Sequence, residues 1–116
     1  MKRVIVPMLL VGIVLAGCGP QALGEVGQVV TVTGQVESID LTPMAADGPA
    51  EIVLRTESSG QVTVYVASCF GGCAQAAYDQ LPEIEAGQTW QATGELQEDG
   101  SLSIYTDEGH SLSAAG

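Results

Sequence analysis

The chain has 116 residues, of which 14 are Asp or Glu and only 3 are Lys or Arg, giving a formal charge of −11. Binding to nucleic acid draws on cations that displace counterions from phosphates, and a surface this acidic repels phosphate backbones and anionic lipid headgroups alike. Nucleic acid is thereby excluded as a partner.

In chain order, Lys2 and Arg3 precede the apolar run Val4–Leu15, and the small residues Ala16 and Gly17 lead to Cys18. A charged start, a short apolar stretch and small residues before a cleavage point are the parts of a secretory signal. A bilayer-spanning helix needs about 20 apolar residues. This run is shorter and contains Pro7 and Gly12, so a permanent span is the weaker reading. Leu15-Ala16-Gly17-Cys18 resembles the bacterial lipobox at every position. The resemblance implies that residues 1–17 are a lipoprotein signal peptide, cleaved before Cys18, whose thiol takes a diacylglyceryl group. An ordinary secretory signal with a chance cysteine is the alternative. Acyl chains anchor by burying methylenes at about 0.8 kcal/mol each, so the expected partner is a membrane, reached through the lipid on Cys18. Gly19 stands where, in enteric-type bacteria, an Asp favours retention in the inner membrane. The expectation is a cell-envelope lipoprotein, on the outer membrane if the organism has two.

Removal of residues 1–17 leaves Arg55 as the one permanent cation against 14 carboxylates, 1 − 14 = −13. What remains is long enough for one domain with a modest core. Residues 18–28, with Pro20 and several glycines, read as the lipidated start and a flexible tether. From Val29 the pattern alternates: Val30, Val32, Gly34 and Val36 fall on one face, and Thr31, Thr33, Gln35 and Glu37 on the other. That is the period of a half-buried strand, in which Gly34 suggests a bulge or a sharp coil.

A loop over Leu41–Pro49 leads to a second strand, Glu51–Glu57, and a third, Gln61–Ala67. Ser58-Ser59-Gly60 between them suggests a three-residue hairpin, pairing Glu57 with Gln61, Leu54 with Val64 and Ile52 with Val66. Ala74, Ala77, Tyr78 and Leu81 recur at helical spacing, and Pro82 should stop that helix. Strand four carries Trp90, Ala92, Gly94 and Leu96 inward. Glu98-Asp99-Gly100 is expected as a three-residue loop that pairs Leu96 with Leu102 and Gly94 with Ile104.

Strand, strand, strand, helix, strand, strand, with a glycine in the first strand, resembles the OB-fold. The run from Ala86 through Asp99-Gly100-Ser101 to Ile104 is similar to the ending of many bacterial OB-fold domains. The resemblance implies a mainly β protein, a small five-stranded barrel over residues 29–113, with 114–116 a disordered tail. A β-sandwich fragment is the runner-up, disfavoured by the helix and the strand count.

Few residues suggest chemistry. With Cys18 acylated, Cys69 and Cys73 are an even pair outside the cytoplasm, and Gly71-Gly72 lets the chain bend between them. A structural disulfide at the helix start is favoured. A redox-active pair is the alternative, although redox motifs usually place two residues between the cysteines, not three. Cys69, Cys73 and His110 make only three zinc ligands without motif spacing, and His110 is expected to be solvated near the chain's end. Glu98-Asp99 and Asp107-Glu108 lack the pattern of a calcium loop, and no serine or cysteine has an identifiable base. No catalytic residue, metal or cofactor is assigned. The OB-fold's usual ligand face, on strands two and three, here presents Val53, Arg55, Thr63 and Tyr65, expected as a small patch with Tyr65 opposite Val53 and Arg55 opposite Thr63. An ordinary polar exterior is the competing view of those residues. The expected function is a non-enzymatic, lipid-anchored envelope module that binds a protein, a small ligand or cations. An envelope thiol-disulfide factor and a structural assembly subunit are the alternatives.

Overall fold

The computed structural model describes residues 23–69 and 72–115. The signal segment, the lipobox and Cys18 lie outside the described residues. Six strands and one short helix make up the fold: β1 (Val29–Asp40), β2 (Ala50–Arg55), β3 (Gln61–Val66), α1 (Gln75–Gln80), β4 (Thr89–Leu96), β5 (Leu102–Ile104) and β6 (Ser111–Ala114). β1 pairs with β2, β2 with β3, β3 in parallel with β5, and β5 with β4. β4 returns to β1, so the sheet closes into the five-stave barrel of an OB-like fold, with α1 between β3 and β4. β5 and β6 are two pieces of the fifth stave, both paired to β4, and residues 105–110 loop out between them.

The alternating pattern is satisfied almost as read. Val32, Val36, Ile52, Leu54, Val62, Val64, Val66, Leu96, Leu102 and Ile104 fill the interior, and Trp90 and Leu112 join them. β1 serves two neighbours by bending. Its first half, Val29–Gln35, pairs with β4 and its second with β2. Glu37 is an extra residue between the pairs Val36–Leu54 and Ser38–Val53, a bulge that sharpens the local twist. Gly34 does not form the bulge; it lies beside the β2 backbone, where a Cβ would stand 2.7 Å from the Arg55 carbonyl oxygen. Gly94 faces Ser103 O at 2.6 Å in the same way. Each glycine marks a place where a neighbouring strand's backbone crosses too closely for any side chain.

Several sequence expectations are corrected. The β2–β3 register is two residues from the one expected: Ile52 pairs with Val64, Leu54 with Val62 and Arg55 with Gln61. The loop is therefore Thr56–Gly60, closed by Thr56 N–H to Gly60 O (2.8 Å) and by the Thr56 hydroxyl donating to the same oxygen (2.7 Å). A shift of two preserves which face is buried, so hydrophobic pattern alone did not separate the two registers. The Glu98–Gly100 loop is as expected, with Leu96 opposite Leu102 and Gly100 at φ 86°. Pro82 does not end the chain's helical course: α1 passes into a 3-10 turn, Leu81–Glu83, that contains it. Residues 23–28 are docked, not free as a tether. Leu23 packs on the core, Gly27 N–H donates to Leu96 O (2.8 Å), and Leu96 N–H donates to Gln28 O (2.9 Å). At the other end Ala114, expected in the tail, is the last residue of β6 and pairs with Trp90, and Ala115 N–H donates to Thr89 O (2.9 Å).

Candidate binding surface

Val53, Arg55, Thr63 and Tyr65 all lie on the outer side of the β2–β3 hairpin, but the register spreads them along it. Val53 faces Thr63, Arg55 faces Gln61 at the loop end, and Tyr65 faces Glu51 at the other end. They do not form one patch. Arg55, whose side chain is 68% exposed, is bound by Glu37 through its Nε and Nη2, and the Gln61 amide donates to the other Glu37 oxygen. The bulge positions Glu37 for this role. Sequence reading set Glu37 on the outer face but did not foresee the clamp, although Arg55, the one Lys or Arg among the described residues, stands in a chain with 14 acids.

Arg55 also borders a groove of about 720 Å³ between the Thr56–Gly60 loop and the outer side of β1 and β4. Its lining is mostly hydroxyl and amide, from Thr31, Thr33, Gln35, Thr56, Ser58 and Thr89, with the Glu57 carboxylate beside them and Leu23 at one side. Three of these side chains are held by neighbours outside the groove: Thr31 Oγ1 bonds Thr93 Oγ1 at 2.7 Å, Gln91 Nε2 donates to Thr33 Oγ1 at 3.3 Å, and Gln35 Nε2 donates to Gly87 O at 3.2 Å. Tyr65 belongs instead to a second, more apolar groove of about 380 Å³ with Pro49, Ala67, Ser103, Ile104 and Tyr105. The Tyr105 hydroxyl donates to the Glu95 carboxylate. That bond, with smaller contributions from desolvation and the Glu95 charge, holds the phenol pKa above the ordinary tyrosine value.

Cys69 and Cys73 form a disulfide, with Cα atoms 4.6 Å apart, just before α1. Ala74, at the N-cap of α1, has no side chain to cap it. The cap comes from across the fold, where Asp107 Oδ2 accepts Gln75 N–H (3.3 Å) and Oδ1 accepts Ala76 N–H (3.2 Å). His110 is not solvated as expected. It is 8% exposed, its Nδ1 accepts the Tyr105 N–H (3.1 Å), and its ring meets Tyr105 edge-on at 4.7 Å. The 105–110 loop thus uses His110 to fold on itself and Asp107 to hold the helix. The Asp107 role is not legible from spacing, since 32 residues separate it from Gln75, whereas the His110–Tyr105 contact spans only five residues of one loop. Among the described residues no cluster of three or more His, Cys, Asp or Glu is placed to hold a metal ion. No protein-family model matches the chain, and no curated protein proves similar to it.

Proposed function

We propose that this protein is a non-enzymatic binding module held at a membrane of the cell envelope by lipid on Cys18, and that its ligand is a protein, a small molecule or a cation rather than nucleic acid. The observation that carries the binding reading is the largely hydroxyl- and amide-lined groove beside Arg55, in which Thr31 and Thr33 are already held by bonds to Thr93 and Gln91 on the adjoining sheet face. Groups fixed before a ligand arrives lose less freedom on binding. The anchor rests on the lipobox Leu15-Ala16-Gly17-Cys18. Metabolic labelling with a fatty-acid analogue tests it: the native precursor should take up label and Cys18→Ser should not. Label retained by Cys18→Ser would defeat the anchor.

A thiol-disulfide role for Cys69 and Cys73 is the competing reading, favoured by the bond itself. Against it, the Asp107 carboxylate occupies the first amides of α1, the groups that would otherwise favour a thiolate nearby. A reduction potential below about −300 mV would mark the bond as structural. A potential well above that would favour the redox role. A third reading, a structural assembly subunit, would show itself as a stable complex in crosslinking.

A further inference from the structure

We infer that the barrel end at which Leu23 is seated faces the bilayer, with Val26 and Val29 in contact with the lipid interface. The inference rests on the lipid anchor proposed above. Only four residues, 19–22, separate Cys18 from Leu23. Five Cα steps at 3.3–3.6 Å each reach at most about 18 Å. β1 alone has 12 residues, roughly 40 Å of strand at 3.3 Å per residue, and even bent it carries its far end, Asp40 and Leu41, well beyond that reach.

The attachment also fixes the barrel's attitude, because the chain does not swivel at Leu23. Residues 23–28 extend the β1–β4 ladder through the Gly27–Leu96 and Leu96–Gln28 bonds. The turn is tied off by Glu25 N–H to Gln28 Oε1 (3.0 Å) and Gln28 N–H to Glu25 O (3.0 Å). Leu23 and Val26 share a groove with Ser59 of the β2–β3 loop and with Gln97–Gly100 of the β4–β5 loop, so these loops lie at the same end. Val26 and Val29 are 61% and 50% exposed there. A pair of apolar side chains beside a lipid attachment point covers itself by entering the headgroup–acyl boundary. Of the other two large exposed apolar residues, Leu41 follows the far end of β1, and Tyr105 reaches Glu95, the cross-strand partner of Val29. Glu25, Glu95, Glu98 and Asp99 lie beside Val26 and Val29, so the contact favours a zwitterionic surface over an anionic one.

Tryptophan substitutions at two exposed positions read the orientation. The mature chain is placed on phosphatidylcholine vesicles containing brominated acyl chains, as Val26→Trp or Leu41→Trp. Two mounts are compared: the acyl groups added in the cell, and a maleimide-headgroup lipid coupled to the Cys18 thiol of a chain made without residues 1–17. The added emission of Val26→Trp should fall roughly twofold on brominated vesicles, as for a side chain at the headgroup–acyl boundary, and that of Leu41→Trp should not change. Equal quenching of the two, or stronger quenching of Leu41→Trp, would overturn the inference on either mount. The maleimide mount needs no natural acylation. Failure of the anchor reading (no lipid on Cys18 by mass) is thus separate from failure of the orientation. Trp90, buried in the core, reports in the same samples that the barrel is folded.

Discussion

Glu37 shows how much a single extra residue decides. Without the bulge, β1 would continue its alternation and present a different side chain to Arg55. With it, one carboxylate accepts from both Arg55 and Gln61. The pair is at the surface, where such contacts contribute about 0–1 kcal/mol; its consequence is to offset the one cation beside the groove. Gly34 carries a larger stake. A methyl group there meets the Arg55 carbonyl, part of a β-sheet backbone and not a movable side chain. Gly34→Ala should destabilise by about 1–3 kcal/mol, the usual cost of overpacking, seen as a lower urea midpoint by Trp90 fluorescence. An unchanged midpoint would mean that β1 and β2 separate freely at this crossing. Tyr105 offers a titration test. Its phenol pKa is raised by the bond to Glu95, so the contact favours the folded state below the unfolded phenol value of about 10 and is lost as pH rises through the folded one. Glu95→Gln should move one component of the alkaline ultraviolet titration to lower pH, and Tyr105→Phe should remove it.

Among the elements, α1 depends most on the rest of the chain. Six residues are too few for a helix to persist alone in water, and no side chain of its own first turn caps it. The disulfide holds its approach, and Asp107 holds its first amides. Asp107→Ala should cost about 1 kcal/mol, as removal of a helix cap does, with faster amide exchange at Gln75 and Ala76. Exchange that does not change there would assign the capping to another group. The sequence signalled the helix through Ala74, Ala77, Tyr78 and Leu81, but its cap sits more than thirty residues away, out of reach of any local rule. The β5–β6 interruption has the same character. Leu112 alternates with serines, too short a run to distinguish from a tail, and becomes a strand because β4 offers it partners.

At the scale of the whole molecule, Arg55 is the one Lys or Arg among the described residues, so the barrel carries a large negative charge. Self-repulsion disfavours the compact state, and salt screens it over about 8 Å at physiological ionic strength. The melting temperature of the mature chain should therefore rise from low salt to about 0.15 M salt; a fall would show that attractive contacts such as Arg55–Glu37 outweigh the repulsion. Two carboxylates contribute to the loss of stability in acid. Asp40 and Asp99 each accept a hydroxyl and a backbone N–H, from Thr42 and Ser101, and both pKa values are lowered by those bonds. Their contribution is present above the unfolded carboxylate value near 4 and is lost as pH falls through the lower folded value.

The inward alternation, the strand order, the helix and the Glu98–Gly100 loop were all legible, because apolar period and turn chemistry are local properties. So were Cys69 and Cys73 as a pair. The resemblance of Leu15-Ala16-Gly17-Cys18 to a lipobox, too, is a matter of sequence alone. Tertiary structure decided the rest. It chose between two hairpin registers that bury the same faces, split the fifth stave, and brought Glu37 to Arg55 and Asp107 to α1. It also turned residues 23–28 from a tether into part of the barrel, since only the edge offered by β4 gave Gly27 and Gln28 backbone partners. Pairings between distant segments depend on which surfaces the closed sheet leaves open, and no window along the chain contains that information.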